Sequence, residues 1–134
     1  MKARSFEFKL ETKGEIEIID ITDKIREYIN KSGIKNGIAL IFTPGSTAAI
    51  ATIEYEPNLI EDFKNAINKL ISKGMWRHPI NAHSHLRATL LSQSLSIPIV
   101  NGEPALGTWQ QVVFIEFDTR PRNRRVIIQI LGAD

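Results

Sequence analysis

The chain of 134 residues is about one domain long, and at that size roughly two-thirds of the unfolded surface is buried on folding, enough for a core without staples. It contains no cysteine, which excludes disulfides, thiolate metal ligands and cysteine nucleophiles and fits a reducing compartment. A formal net charge of +2 is too mild to indicate a nucleic-acid partner; the one local basic cluster, Arg120, Arg122, Arg124 and Arg125, reads as a solvated hairpin tip.

In chain order, Phe6, Phe8 and Leu10 alternate with charged residues, the period of a half-buried strand, and Ile16 and Ile18 alternate again, so the first 19 residues are expected to form a hairpin. Thr22 is placed to cap a helix carrying Ile25, Tyr28 and Ile29 on one face, with Gly33 as its stop. Residues 37–43 form a short apolar run suited to a strand buried on both faces. Pro44-Gly45 breaks it, and residues 47–53 return as another strand. Pro57 opens a helix in which Ile60, Phe63, Ile67, Leu70 and Ile71 recur at helical spacing, ending by Gly74. A short helix over 82–91 follows, then a strand over 95–100 with an Asn101-Gly102 turn. Two long strands over 108–117 and 124–131 close the chain, joined by 118–123. The pattern predicts one α+β domain over 1–134, its sheet mixed or mainly antiparallel and packed with two or three helices. No apolar run approaches the ~20 residues of a membrane span, and the N-terminus lacks the apolar stretch of a signal peptide; a cytoplasmic protein without a membrane partner is expected.

All three histidines, His78, His83 and His85, fall within eight positions. Neutral imidazole is the commonest metal ligand, and three make a typical open zinc site, although the same residues can equally be polar packing groups. His83 and His85 share a face only where the backbone is extended; on a helix they diverge by ~200°. Arg77 and Arg87 flank them with donors suited to phosphate or carboxylate, or are simply surface arginines. Gly45-Ser46-Thr47 follows a strand where backbone N–H groups can cradle an anion, or forms only a turn. Glu54 and Glu56 lie on one face of an extended segment and can serve as acid, base or ligand, or merely favour the following helix. Trp109 beside Gln110 and Gln111 can stack on a flat ring and bond its edge, or sit in the core with satisfied amides.

Several blocks combine in order: Thr43-Pro44-Gly45-Ser46-Thr47-Ala48, Glu54-Tyr55-Glu56-Pro57, His83-Ser84-His85-Leu86-Arg87-Ala88-Thr89-Leu90-Leu91, Ser94-Leu95-Ser96-Ile97-Pro98, and Leu106-Gly107-Thr108-Trp109-Gln110-Gln111. Together they resemble the YjbQ-type family of uncharacterised proteins, over nearly the whole chain. The resemblance implies a small α+β homotrimer with a histidine-rich, metal-binding pocket. It also implies a weak secondary thiamine-phosphate synthase activity, joining a hydroxymethylpyrimidine diphosphate to a thiazole phosphate. Carried over by position, His83, His85, Glu54 and Arg87 are the expected catalytic groups. Ser46, Thr47, Trp109 and Gln110 are expected to bind the small phosphorylated molecule. His78, His83 and His85 are expected to hold a divalent metal, zinc first. Two departures stand out: Gly45 occupies a position where many relatives carry histidine, and Ser92-Gln93 stands where relatives often carry glycine. Competing expectations are a metal-dependent phosphate-ester hydrolase and a non-catalytic metal- or ligand-binding trimer.

Overall fold

A computed structural model describes residues 1–134. The chain runs β1 (Lys2–Thr12), β2 (Glu17–Asp20), α1 (Thr22–Ser32), β3 (Asn36–Phe42), β4 (Ala48–Ile53), α2 (Pro57–Leu70) and α3 (Ala82–Leu91). It continues through β5 (Ser94–Val100), β6 (Glu103–Pro104), β7 (Gln111–Glu116) and β8 (Arg122–Ala133). The larger sheet has the order β1-β8-β3-β5-β6, the smaller β2-β7-β4. The two antiparallel sheets are stacked, α2 and α3 cover the far side of the three-stranded sheet, and α1 packs into the core that the three-stranded sheet shares with the five-stranded one. This is the α+β architecture that the pairing of apolar runs predicts. No helix is long and apolar enough to cross a membrane.

The alternation of β7 organises the interior. Val112 and Phe114 face the larger sheet and α1, in a core with Ile25, Ile41, Val126 and Ile128. Val113 and Ile115 face the helices, in a second core with Ile18, Ala49, Ile67 and Ala88. A strand buried on both faces reads as a continuous apolar run, as Val112-Val113-Phe114-Ile115 does. Removing the Phe114 side chain is expected to cost about 3–5 kcal/mol.

The structure corrects several local expectations. The first 19 residues do not form a hairpin: β1 pairs with β8 along its whole length, from Lys2↔Gly132 to Thr12↔Arg122, whereas β2 pairs with β7 in the other sheet. Likewise β7 and β8 lie in different sheets, so residues 117–121 cross between layers instead of closing a hairpin; Thr119, Arg120 and Pro121 are exposed as expected, but Arg124 of the basic cluster is buried. Alternation reveals which face of a strand is apolar but not which strand lies beside it. Thr22 is not the cap of α1. It accepts from Val112 N–H at 2.9 Å and donates to Asp20 at 2.6 Å, tying the helix to β7.

β3 is buried on one face only. Ala39 and Ile41 are in the core, whereas Ile38, Leu40 and Phe42 are 54%, 38% and 38% exposed on the outer face. Where β3 pairs with β8, Gly37 opposite Gly132 lets the backbones come close: a Cβ on Gly37 would lie 2.0 Å from the Leu131 carbonyl oxygen.

Candidate functional site

The segment between α2 and α3 brings the histidine-rich stretch against the N-terminal turn of α3. Trp76 is pinned there by its indole N–H, which donates to the Ser72 carbonyl at 2.9 Å. Asn81 occupies the N-cap of α3. Its side-chain oxygen meets Nε2 of His78 at 3.1 Å, and its amide nitrogen donates to Asp118 at 3.4 Å. The rings of His78 and His85 stand nearly perpendicular, 5.0 Å apart. With Met75, Trp76, Arg77, Ala82 and Leu86 they line an open groove of about 590 Å³.

His83 points elsewhere. Helical spacing turns it away from His85, and it is buried with Nε2 2.8 Å from Glu15, in the loop between β1 and β2. Lys73 binds the other oxygen of Glu15 at 2.6 Å. Burial by itself raises the Glu15 carboxyl, but hydrogen bonds from Lys73 and His83 and the charges behind them outweigh it and hold the group below the usual carboxylate range. Nδ1 of His83 is buried without a partner, as are Ser84 Oγ and Arg87 Nη1.

Arg87 does not reach solvent, contrary to the expectation that it neutralises a bound phosphate. It is fully buried, and its Nε and Nη2 donate to the Ile71 carbonyl at 3.0 and 2.7 Å, with a further bond from Nη2 to Asn68 at 3.0 Å. Burial lowers the guanidinium's proton affinity and the nearby Glu15 opposes this. The group braces the end of α2 and the chain that follows it.

Glu54 also lies apart from the histidines. With Asp20, Tyr55, Trp109 and Gln111 it lines a second hollow of about 350 Å³ that shares no residue with the groove. Glu56 caps α2, accepting from the backbone of Asn58 at 2.7 Å and Leu59 at 3.2 Å, a structural use of the carboxylate. Trp109 is 70% exposed at the rim. Gln110 is occupied with backbone and neighbour, accepting from Gly107 N–H and donating to Thr52.

Thr47 is buried and committed, donating to Asp118 at 3.3 Å and accepting from Arg124 at 2.7 Å; Ser46 is exposed. Gly45, at φ +132°, sits where a Cβ would press on Nη1 of Arg124 at 3.0 Å. Asp118 joins this loop to the histidine segment, since it also accepts from Arg122 at 2.8 Å and from the Thr119 N–H. Burial pushes its carboxyl up, yet the bonds from Thr119, Asn81 and Arg122 prevail and the group is held low. Glu15, Lys73 and Asp118 escaped the sequence reading. The available signal was Glu116 and Asp118 inside the apolar run ending β7, where acids need buried partners.

No three His, Asp or Glu side chains of one chain are placed to hold a metal ion. Two of the three histidines, His78 and His85, share the groove, and their nitrogens are of the right type for zinc.

The family model of UPF0047, YjbQ-like proteins matches residues 6–133. The chain belongs to that family. A UPF0047 protein of Archaeoglobus fulgidus is 41% identical over 129 residues, covering 93% of this chain and 99% of that protein. Among solved structures, a YbjQ-like protein of unknown function from Sulfolobus solfataricus superposes with a TM-score of 0.89 at 36% identity, covering 98% of this chain and 99% of that one. A hypothetical protein from Aeropyrum pernix gives 0.91 at 37% identity, covering 96% and 98%. The UPF0047 relatives thus share this fold from end to end, and the family is one of uncharacterised proteins.

Proposed function

We propose that the groove between the α2–α3 connection and α3 binds a small phosphorylated molecule carrying a flat ring. One observation carries this reading: Trp76, Arg77, His78 and His85 border a single open space. The indole offers a face for stacking, the guanidinium a paired donor for phosphate, and the imidazoles groups that take or give a proton near neutral pH. In a thiamine-phosphate synthase-like transfer, Trp76 would carry the pyrimidine, Arg77 would stabilise the departing diphosphate and His85 would hold or release a proton. His83 and Arg87 act from behind, fixing the helix that carries His85, and Glu54 with Trp109 belongs to the separate hollow. The cysteine-free composition fits a cytoplasmic setting.

A second reading is a zinc-binding pocket, favoured by the 5.0 Å separation of the His78 and His85 rings. Zinc there would supply Lewis acidity, with further donors coming from the bound molecule or another subunit.

Assembly into a homotrimer is part of the proposal. It is supported by the outer face of the larger sheet, where Ile38, Leu40, Phe42 and Leu131 are all exposed. Three-fold contacts are heterologous, so this face must meet a different surface of the next copy, and Leu86 and Leu90 on α3 provide an apolar one beside the groove.

Calorimetric titration with a hydroxymethylpyrimidine phosphate tests the reading. Binding at micromolar to millimolar concentration is expected, weakened about tenfold, or ~1.4 kcal/mol, by Arg77→Ala or Trp76→Ala. Equal binding by these variants would refute the groove. Metal analysis of the purified protein separates the two readings: zinc lost on replacing both His78 and His85 with alanine supports the second.

A further inference from the structure

We propose that the space beneath α2 is a second binding site, one that takes a small apolar molecule about the size of a single aromatic ring. It is independent of the groove and shares no lining residue with it.

The space measures about 200 Å³ and is partly open, since Ala51, Ile53, Phe63 and Leu91 are half-buried while Ile18, Val113 and Ile115 at its base are buried. Its floor is the helix-facing side of the smaller sheet, with Ile18 from β2, Ala51 from β4, and Val113 and Ile115 from β7. Its roof is Phe63 of α2 and Leu91 of α3. The space originates in the sequence of β4. The alternate residues that face the helices begin Ala49 and Ala51, and two methyl groups leave a gap where larger side chains would fill the layer.

An apolar gap in a flexible structure closes by collapse. Here both ends of α2 are pinned. At its start the Tyr55 hydroxyl donates to the Ile18 carbonyl at 2.9 Å, and Gln111 accepts from the Tyr55 N–H at 2.9 Å. At its end Arg87 grips the Ile71 carbonyl and Asn68. Between these pins only Ile67 of the helix is fully buried, with Ile60 and Phe63 partly so. The helix is a strap held off the sheet at both ends, and the gap persists beneath it.

Chemistry selects the occupant. A water molecule needs two to four polar partners, whereas seven of the eight lining residues are hydrophobic. The eighth, Thr52, follows Ala51 in β4, so the pleat turns its side chain to the opposite face, where its hydroxyl accepts from Gln110 at 3.2 Å. An enclosed apolar cavity of about 150 Å³ accepts benzene or xenon, and this space offers a similar apolar volume with an open side through which a ring can enter. A single ring or a short branched hydrocarbon fits this one; a long acyl chain or a charged metabolite does not.

Benzene is the probe, with the full chain labelled at its methyl carbons. Saturating benzene is expected to raise the melting temperature and to shift the methyl resonances of Ala51, Leu91 and Val113. Ala51→Leu grows into the space from the floor and should weaken benzene binding at least tenfold while circular dichroism stays unchanged. Leu91→Phe fills it from the roof and serves if the first variant does not fold. Unshifted methyl resonances in the native protein, or shifts that survive in a folded filled variant, would overturn the proposal. Neither outcome touches the groove, whose ligands are read by Arg77 and Trp76.

Discussion

Two polar clusters lie inside this protein and differ in how completely they are satisfied. Where β7 meets β8, Oε1 of Glu116 accepts from Thr12 at 2.6 Å and Arg124 at 2.8 Å, while Oε2 accepts from Arg124 and from the Asp118 N–H. On α3, by contrast, His83, Ser84 and Arg87 each keep a buried polar atom with no partner. The first cluster joins strands from both sheets, so two rigid backbones fix donor and acceptor together. The second hangs from one helix and an irregular connection, which position some of its groups but not all. A complete cluster holds layers in place; an incomplete one beside a groove marks where the chain alone does not saturate its own chemistry.

The largest expected effect breaks the complete cluster. Glu116→Ala leaves Arg124 charged and buried, and urea denaturation should show a loss of about 3–5 kcal/mol. The pair Glu116→Leu with Arg124→Met removes both charges and should recover most of it, since apolar replacements of a buried pair are often neutral. A cost of Glu116→Ala no larger than that of any α3 substitution would erase the contrast.

Arg87→Met comes next. It keeps the stem but abandons the Ile71 carbonyl and Asn68, at an expected cost of about 1–3 kcal/mol. Hydrogen exchange should quicken across residues 71–81 while the β7 amides remain protected. An exchange pattern identical to the native one would show that the guanidinium does not brace the connection.

Acid sharpens the comparison. Glu15 and Asp118 are both held below the ordinary values of 4.5 and 3.8 in the folded state. The unfolded chain therefore binds more protons between those values and the lower folded ones, so stability rises with pH there. The contribution is complete above the ordinary values and is lost as pH falls through the folded ones. Asp118→Asn and Glu15→Gln should each flatten the acid limb of a stability–pH curve measured by denaturation. An unchanged limb in both variants would contradict the sign.

Ser84→Ala is the smallest change. Its hydroxyl is buried without a partner, so removal should be neutral or stabilise by up to about 1 kcal/mol. A loss beyond that would mean the hydroxyl is satisfied in solution, and would bring the two clusters closer in kind.

The layered fold was legible wherever period and punctuation agree. Pro57 does open α2, Gly33 does close α1 in the left-handed conformation at φ 72°, and Asn101-Gly102 does turn β5 into β6. Strand partners were not legible, because β1 and β2 alternate equally well whether they pair with each other or with β8 and β7. The apolar run of β3 was misleading for a related reason: composition cannot distinguish a strand covered by its own chain from one that leaves Ile38 and Phe42 exposed. At the site, the meeting of His78, His85 and Arg77 around one space followed from their closeness in sequence, whereas His83, nearer to His85 still, is turned away to Glu15 by the helix. The roles of Glu15 and Asp118 did not, because they reach α3 from 68 and 37 positions away. No local pattern encodes such contacts.

β7 has a further consequence. Its four central side chains alternate between two hydrophobic cores, so neither core can open while the strand stays in register. The two cores are thus mechanically one. Unfolding should appear as a single cooperative transition with coincident curves from the fluorescence of Trp76 and Trp109 and from backbone circular dichroism, and the β7 amides should be the last to exchange.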